Sequence, residues 1–234
     1  MTELGRAPLA AHWEAPKWLA VLAMTINHAT WHMDAPWADW GFLIGRVNLP
    51  VFSLLVALRM VEFTRVRAER YLSALLLWGL LAQPVYDQLF SGGHFVHLNA
   101  MFTLACGVGL IVLSAEVGAW LALLAAGALA WYAQASLEGG AWMPIALWAA
   151  WFWARKRPGS LWVPVIGVTL AAFFMNGGLW DRPSVVSLVA GLGTLGVLVS
   201  APVVSHLLPR LPRWGFYAYY PLHLVVIWVF GRLN

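Results

Sequence analysis

The stretch Trp18-Leu-Ala-Val-Leu-Ala-Met-Thr-Ile-Asn27-His28-Ala-Thr-Trp-His32-Met33 decides how this chain is read. Its first nine residues form the start of a plain apolar helix. Asn27 and His28 then place an amide and a titratable ring well inside it. Polar and ionisable groups are expensive in hydrocarbon, so they are held by partners or put to use. The other polar groups buried in apolar runs are read as partners for this pair.

Composition sets the class. The chain has 234 residues, of which 62% are hydrophobic and 10% charged. Soluble domains carry about 25% charged residues. With many apolar runs near span length, the deficit predicts an all-α, polytopic membrane bundle. A transmembrane barrel would alternate apolar and polar positions in short segments, which this chain does not do. The single Cys106 excludes an internal disulfide or a cysteine metal cluster. The net charge of +4 is read as loop charge that orients spans, and no nucleic-acid partner is inferred from it. Residues 1–234 form a single domain, with 1–17 a polar cytoplasmic segment. No small-residue cleavage site follows a short apolar core there, so the first span is expected to target the chain and remain.

Nine spans are expected, at about 18–33, 40–63, 71–90, 95–114, 117–137, 142–154, 161–180, 184–206 and 214–230. With the amino terminus in the cytoplasm, Arg65, Arg67, Arg70, Arg155, Lys156, Arg157, Arg210 and Arg213 all fall inside. Arg182 and Arg232 fall outside, and the carboxyl terminus is periplasmic. That asymmetry obeys the positive-inside rule.

Several helices bring polar groups to one slab. Arg46 lies about 10 Å below the outer surface and His28 about 15 Å from the inner one, at 1.5 Å per residue. Asn99 and Thr103 enter from outside to similar depth, Glu138 lies at the outer rim, and His223 follows Tyr219, Tyr220 and Pro221 at mid-depth. A lone buried His is often only a hydrogen-bonding residue, and an Arg can snorkel to an interface. Together they allow more. A neutral His accepts a proton from an amine or hydroxyl. A nearby guanidinium holds a carboxylate, a phosphate or a developing oxyanion. There is no nucleophile elbow, phosphate loop or metal-ligand spacing, and no metal is expected. General-base transfer of an activated group, without a covalent intermediate, is the simplest chemistry for this inventory. A transporter or lipid-handling protein would use the same polar slab as a pathway, and a scaffold would use it only to bond helices together.

The order of short motifs resembles the TraX family, membrane proteins linked to N-terminal acetylation of conjugative pilin. Asn27-His28 is similar to the acidic-His end of its first helix, with Asn in place of the usual Asp. Gly45-Arg46 with Pro50 and Phe52, Thr64-Arg65 with Tyr71-Leu72, and Gln83-Pro84 follow in order. Leu98-Asn99 with Phe102-Thr103-Leu104, then Tyr220-Pro221 with His223-Leu224, complete the resemblance over nearly the whole chain. Glu138-Gly139 stands where the family has an Asp-Tyr-Gly-like turn.

The resemblance implies a multi-pass protein of the bacterial inner membrane. It would move an acetyl group from cytoplasmic acetyl-CoA to an acceptor on the periplasmic side, such as the amino terminus of pilin or another amine or hydroxyl. In that reading His28 is the general base and Arg46 the electrostatic anchor. Asn27, Asn99 and His223 orient the base or the acyl carbonyl, Thr103 and Tyr220 bind substrate, and Arg65, Arg67 and Arg155 are candidates for the CoA phosphates. The expected partners are the lipid bilayer, acetyl-CoA and a protein acceptor.

Overall fold

The computed structural model describes residues 13–30, 38–90, 97–132, 136–177, 185–210 and 213–233. They hold ten α-helices. These are α1 (Glu14–Thr30), α2 (Ala38–Gly45), α3 (Asn48–Val61), α4 (Arg65–Phe90), α5 (Ala100–Val117), α6 (Ala119–Tyr132), α7 (Trp142–Lys156), α8 (Trp162–Met175), α9 (Val185–Val204) and α10 (Arg213–Leu233). A 3-10 turn, Ser205–Leu207, closes α9. The only extended pairing among the described residues is a bridge between Leu98 and Leu137. Residues 1–12 of the expected polar segment and the loop positions Asp34, His94 and Arg182 lie outside the described residues, whereas Glu14–Lys17 of that segment form the first turn of α1 instead.

Proline sets where several helices begin. Pro16, Pro50, Pro144 and Pro164 each occupy the third residue of a helix, in α1, α3, α7 and α8. The first turn of a helix needs no donor to a preceding carbonyl, so a residue without an N–H is harmless there. This explains why the expected second span is two helices. A helix running through from α2 would need a Pro50 N–H to reach the Arg46 carbonyl. The chain instead turns at Arg46 and Val47, whose amides bond back to Leu43 and Ile44, and restarts at Asn48. Elsewhere, Asn99 caps α5 by accepting from the Met101 N–H. Gly118, at φ 95°, ends α5 in a conformation that favours glycine.

The hub is α3, which packs on α1, α5, α7, α8 and α9. All but a few of its residues are buried, including Leu54, Val51 and Ala57. The second close approach is between α1 and α2. A side chain at Gly41 would run into Thr30, and one at Gly45 into Asn27. This Gly-x-x-x-Gly face lets two backbones meet, as small residues do between membrane helices.

The periphery is apolar. Trp131 is 83% exposed, Trp120 80% and Leu124 69%. Contiguous apolar surface on this scale is rare on proteins that live in water. Two helical stretches, Ala38–Val61 and Ala100–Val117, are both long and apolar enough to cross a membrane.

Candidate functional site

His28 sits in the last turn of α1 and is 2% exposed. Its Nδ1 lies 2.8 Å from Nε2 of His223 on α10, with the two rings nearly parallel. The Nδ1 of His223 lies 3.0 Å from the Tyr219 carbonyl. A carbonyl only accepts, so His223 carries its proton on Nδ1 and presents a bare Nε2. With both rings neutral, His28 then donates from Nδ1, and its Nε2 holds the lone pair. The network therefore assigns the tautomer a general base needs. Phe90 and Tyr220 pack against the His28 ring at centroid distances of 5.2 and 6.2 Å. The Thr25 and Tyr219 hydroxyls bond across the same α1–α10 seam.

Asn27 points elsewhere, as neighbours on a helix do. Its Oδ1 accepts from Nη2 of Arg46 at 3.2 Å. The Arg46 Nε donates to the Phe42 carbonyl at 3.4 Å, and the guanidinium carbon stands 4.1 Å from the Phe42 ring centroid. Beside them is a hollow of about 200 Å³ lined by Asn27, Arg46, Asn48, Glu138, Asn176 and neighbouring small or apolar residues. His28 is not among its lining residues. Tyr220 connects the two places. Its ring meets His28 edge-on, and its hydroxyl is within electrostatic reach of Glu138.

Glu138 is carried into this position by its backbone. Leu98 donates to the Ser136 carbonyl at 2.7 Å, and Glu138 donates back to Leu98 at 3.0 Å. Thr103 Oγ1 donates to the Glu138 carbonyl at 2.7 Å. Gly139 and Gly140, at φ 78° and 59°, let the link turn beneath Leu49 and Met175, where a Cβ on Gly139 would clash. Glu138 Oε2 is shut off from solvent and has no hydrogen-bond partner among the described residues. Burial pushes its carboxyl above the usual range, against the pull of Arg46 and of the Ala100 N–H. No ion pair joins it to Arg46 among the described residues.

The site residues expected from sequence divide into three groups. His28, His223, Asn27, Arg46 and Tyr220 gather in one neighbourhood. Asn99 and Thr103 stand next to it but face inward, and both are fully buried. The Asn99 Nδ2 donates to the Gly79 carbonyl and to Gln83 Oε1, while its Oδ1 caps α5. Thr103 holds the Glu138 link, Asn99 ties the start of α5 to α4, and neither lines the hollow. Arg65, Arg67 and Arg155 are remote and exposed. Arg65 is paired with Glu69 and, at 2.6 Å, with Glu116. Arg155 stacks over Trp151 at 5.4 Å. The expected site set lacks Glu138, Asn48 and Asn176. The one sequence signal for them is the Glu138-Gly139-Gly140 punctuation between two apolar runs.

A protein-family model described as "TraX protein" matches residues 13–231. No curated protein and no solved structure matches the chain.

Proposed function

The chain belongs to the TraX family, and on that premise we propose that it is a membrane-embedded acetyltransferase of the bacterial inner membrane. It takes acetyl groups from cytoplasmic acetyl-CoA and gives them to an amine or hydroxyl presented on the periplasmic side, with the amino terminus of pilin as one acceptor. The apolar periphery supports a multi-pass protein surrounded by lipid. The basic residues near the starts or ends of α4, α7 and α9 support a cytoplasmic face there.

The observation that carries this reading is the His28–His223 pair. His28 Nε2 takes the proton of the acceptor as its nitrogen or oxygen attacks the acetyl carbonyl. Arg46, anchored by Asn27, supplies a permanent positive charge for the developing oxyanion. When the tetrahedral intermediate collapses, the C–S bond breaks and His28 returns the proton to the departing CoA thiolate. His223 accepts from His28 Nδ1 throughout and so steadies the imidazolium. The acceptor must reach past Asn27 from the hollow to meet His28, because the two side chains leave α1 in different directions.

The test is acetyl transfer by purified protein in lipid nanodiscs, with radiolabelled acetyl-CoA and an amine-terminated pilin peptide. Wild type should transfer label and His28→Ala should not, with both giving the same unfolding curve. Full transfer by His28→Ala would remove His28 from the chemistry.

A further inference from the structure

Charges of opposite sign line the hollow without touching each other. On one side stand Arg46 and the first turn of α3, a 14-residue helix. The Asn48 and Leu49 amides open that helix, and Val47 before it supplies no side-chain cap. The α3 start is thus a partial positive charge beside a full one. The Asn48 side chain is 6% exposed, lines the hollow, and makes no hydrogen bond among the described residues. On the other side stands Glu138, with its buried and unpartnered Oε2. Buried polar atoms of this kind ordinarily have partners. Glu138 is also a lining residue of the hollow, so a ligand seated there meets the same residue that holds this atom.

We propose that the hollow is a binding site for a small zwitterionic group, with its primary ammonium on Glu138 and its oxyanion on Arg46, Asn48 and the α3 start. A plain anion would satisfy Arg46 and be repelled by Glu138. A plain cation would meet the reverse. Only a ligand carrying both charges a few atoms apart satisfies both walls. The same chemistry occurs in a free amino acid or aminoalkyl phosphate and in the phosphoethanolamine headgroup of a lipid. As an acceptor subsite the hollow rests on the acetyl-transfer reading; as a binding site it does not, and its test contains no acetyl-CoA.

The experiment is titration calorimetry of the full chain in nanodiscs of phosphatidylglycerol. The probes are glycine and phosphoethanolamine, against ethanolamine, acetate and inorganic phosphate. At least one zwitterion should bind tenfold or more tightly than each of its halves. Glu138→Gln should reduce that ligand to the affinity of its anionic half. Asn48→Leu, which removes an unbonded amide and fills the space, should abolish binding and guards against misfolding in the first variant. In nanodiscs containing phosphatidylethanolamine, weakened probe binding assigns the site to the headgroup, and unchanged binding assigns it to the free molecule. Zwitterions that bind no better than acetate or phosphate, or that bind Glu138→Gln as they bind wild type, overturn the proposal. Absence of acetyl transfer by wild type, with zwitterion binding intact, would defeat the acetyltransferase reading alone.

Discussion

His28 on α1 and His223 on α10 share a 2.8 Å hydrogen bond although 195 residues separate them in sequence. The bond places a neutral imidazole where hydrolytic triads place a carboxylate. Asn27 cannot fill that role from the adjacent position, because its oxygen is committed to Arg46. The orienting group for His28 therefore comes from the far end of the chain.

Replacing His223 should separate orientation from packing. His223→Gln keeps an acceptor for the His28 Nδ1–H, and His223→Leu does not. We expect His28→Ala to lower transfer by about 10²- to 10⁴-fold, the range of general-base catalysis. His223→Leu should lower kcat with little change in KM for the acceptor, shift the pH–rate profile, and be partly rescued by Gln. A Gln variant no better than Leu, with an unshifted profile, would make His223 a packing residue.

Arg46 depends on Asn27 for its side-chain acceptor. Asn27→Leu should cost about 1.5–3 kcal/mol, the range for a hydrogen bond to a charged group, read by chemical denaturation in detergent. Asn27→Asp keeps the acceptor and should unfold no earlier than wild type. Equal stability in Leu and wild type would show the Arg46 contact to be slack.

Glu138 should give stability an identifiable pH dependence. Its carboxyl lies above the usual range, first through burial, with Arg46 and the Ala100 N–H opposing and Tyr86 and Tyr220 nearby. A group whose folded value exceeds its unfolded one contributes fully below the unfolded value and loses that contribution as pH rises through the folded one. Glu138→Gln lacks this loss. The variant should match wild type below about pH 4, the ordinary carboxylate value, and exceed it as the pH rises well above that. Thermal unfolding across this range checks this, and an advantage that grows on acidification contradicts it.

Asn99→Ala should destabilise without altering the chemistry of the stable fraction. It removes the α5 cap, worth about 1 kcal/mol, and the two Nδ2 donations to Gly79 and Gln83 at about 0.5–1.5 kcal/mol each, while the Asn99 backbone N–H still serves the Gln83 oxygen. Activity per folded molecule, measured at low temperature, should stay within about threefold of wild type, less than 1 kcal/mol at 1.4 kcal/mol per tenfold.

Helix boundaries were largely legible because hydropathy and proline act locally. Each expected span overlaps a helix, and only the second differs in kind, since Pro50 makes the chain restart at Asn48. Side-chain direction is not local. Asn99 and Thr103 have suitable depth for a binding role, yet their hydrogen bonds run to Gly79, Gln83 and the Glu138 carbonyl. Glu138 looks like a rim residue because two glycines follow it, and those glycines are what fold it inward. Arg65 reads as an open cation until Glu116, at the end of α5, is found 2.6 Å away. Each difference comes from a partner that is distant in sequence.

Among the helices, α6 packs chiefly on α5 and supplies no wall of the hollow, yet it precedes the Glu138 link in the chain. Its outward residues are open to wholesale exchange, whereas one inserted residue would lengthen it by about 1.5 Å and swing whatever follows by about 100°. The bonds from Leu98 and Thr103 to the Glu138 link would then be set against a displacement begun in a helix that has no part in the hollow.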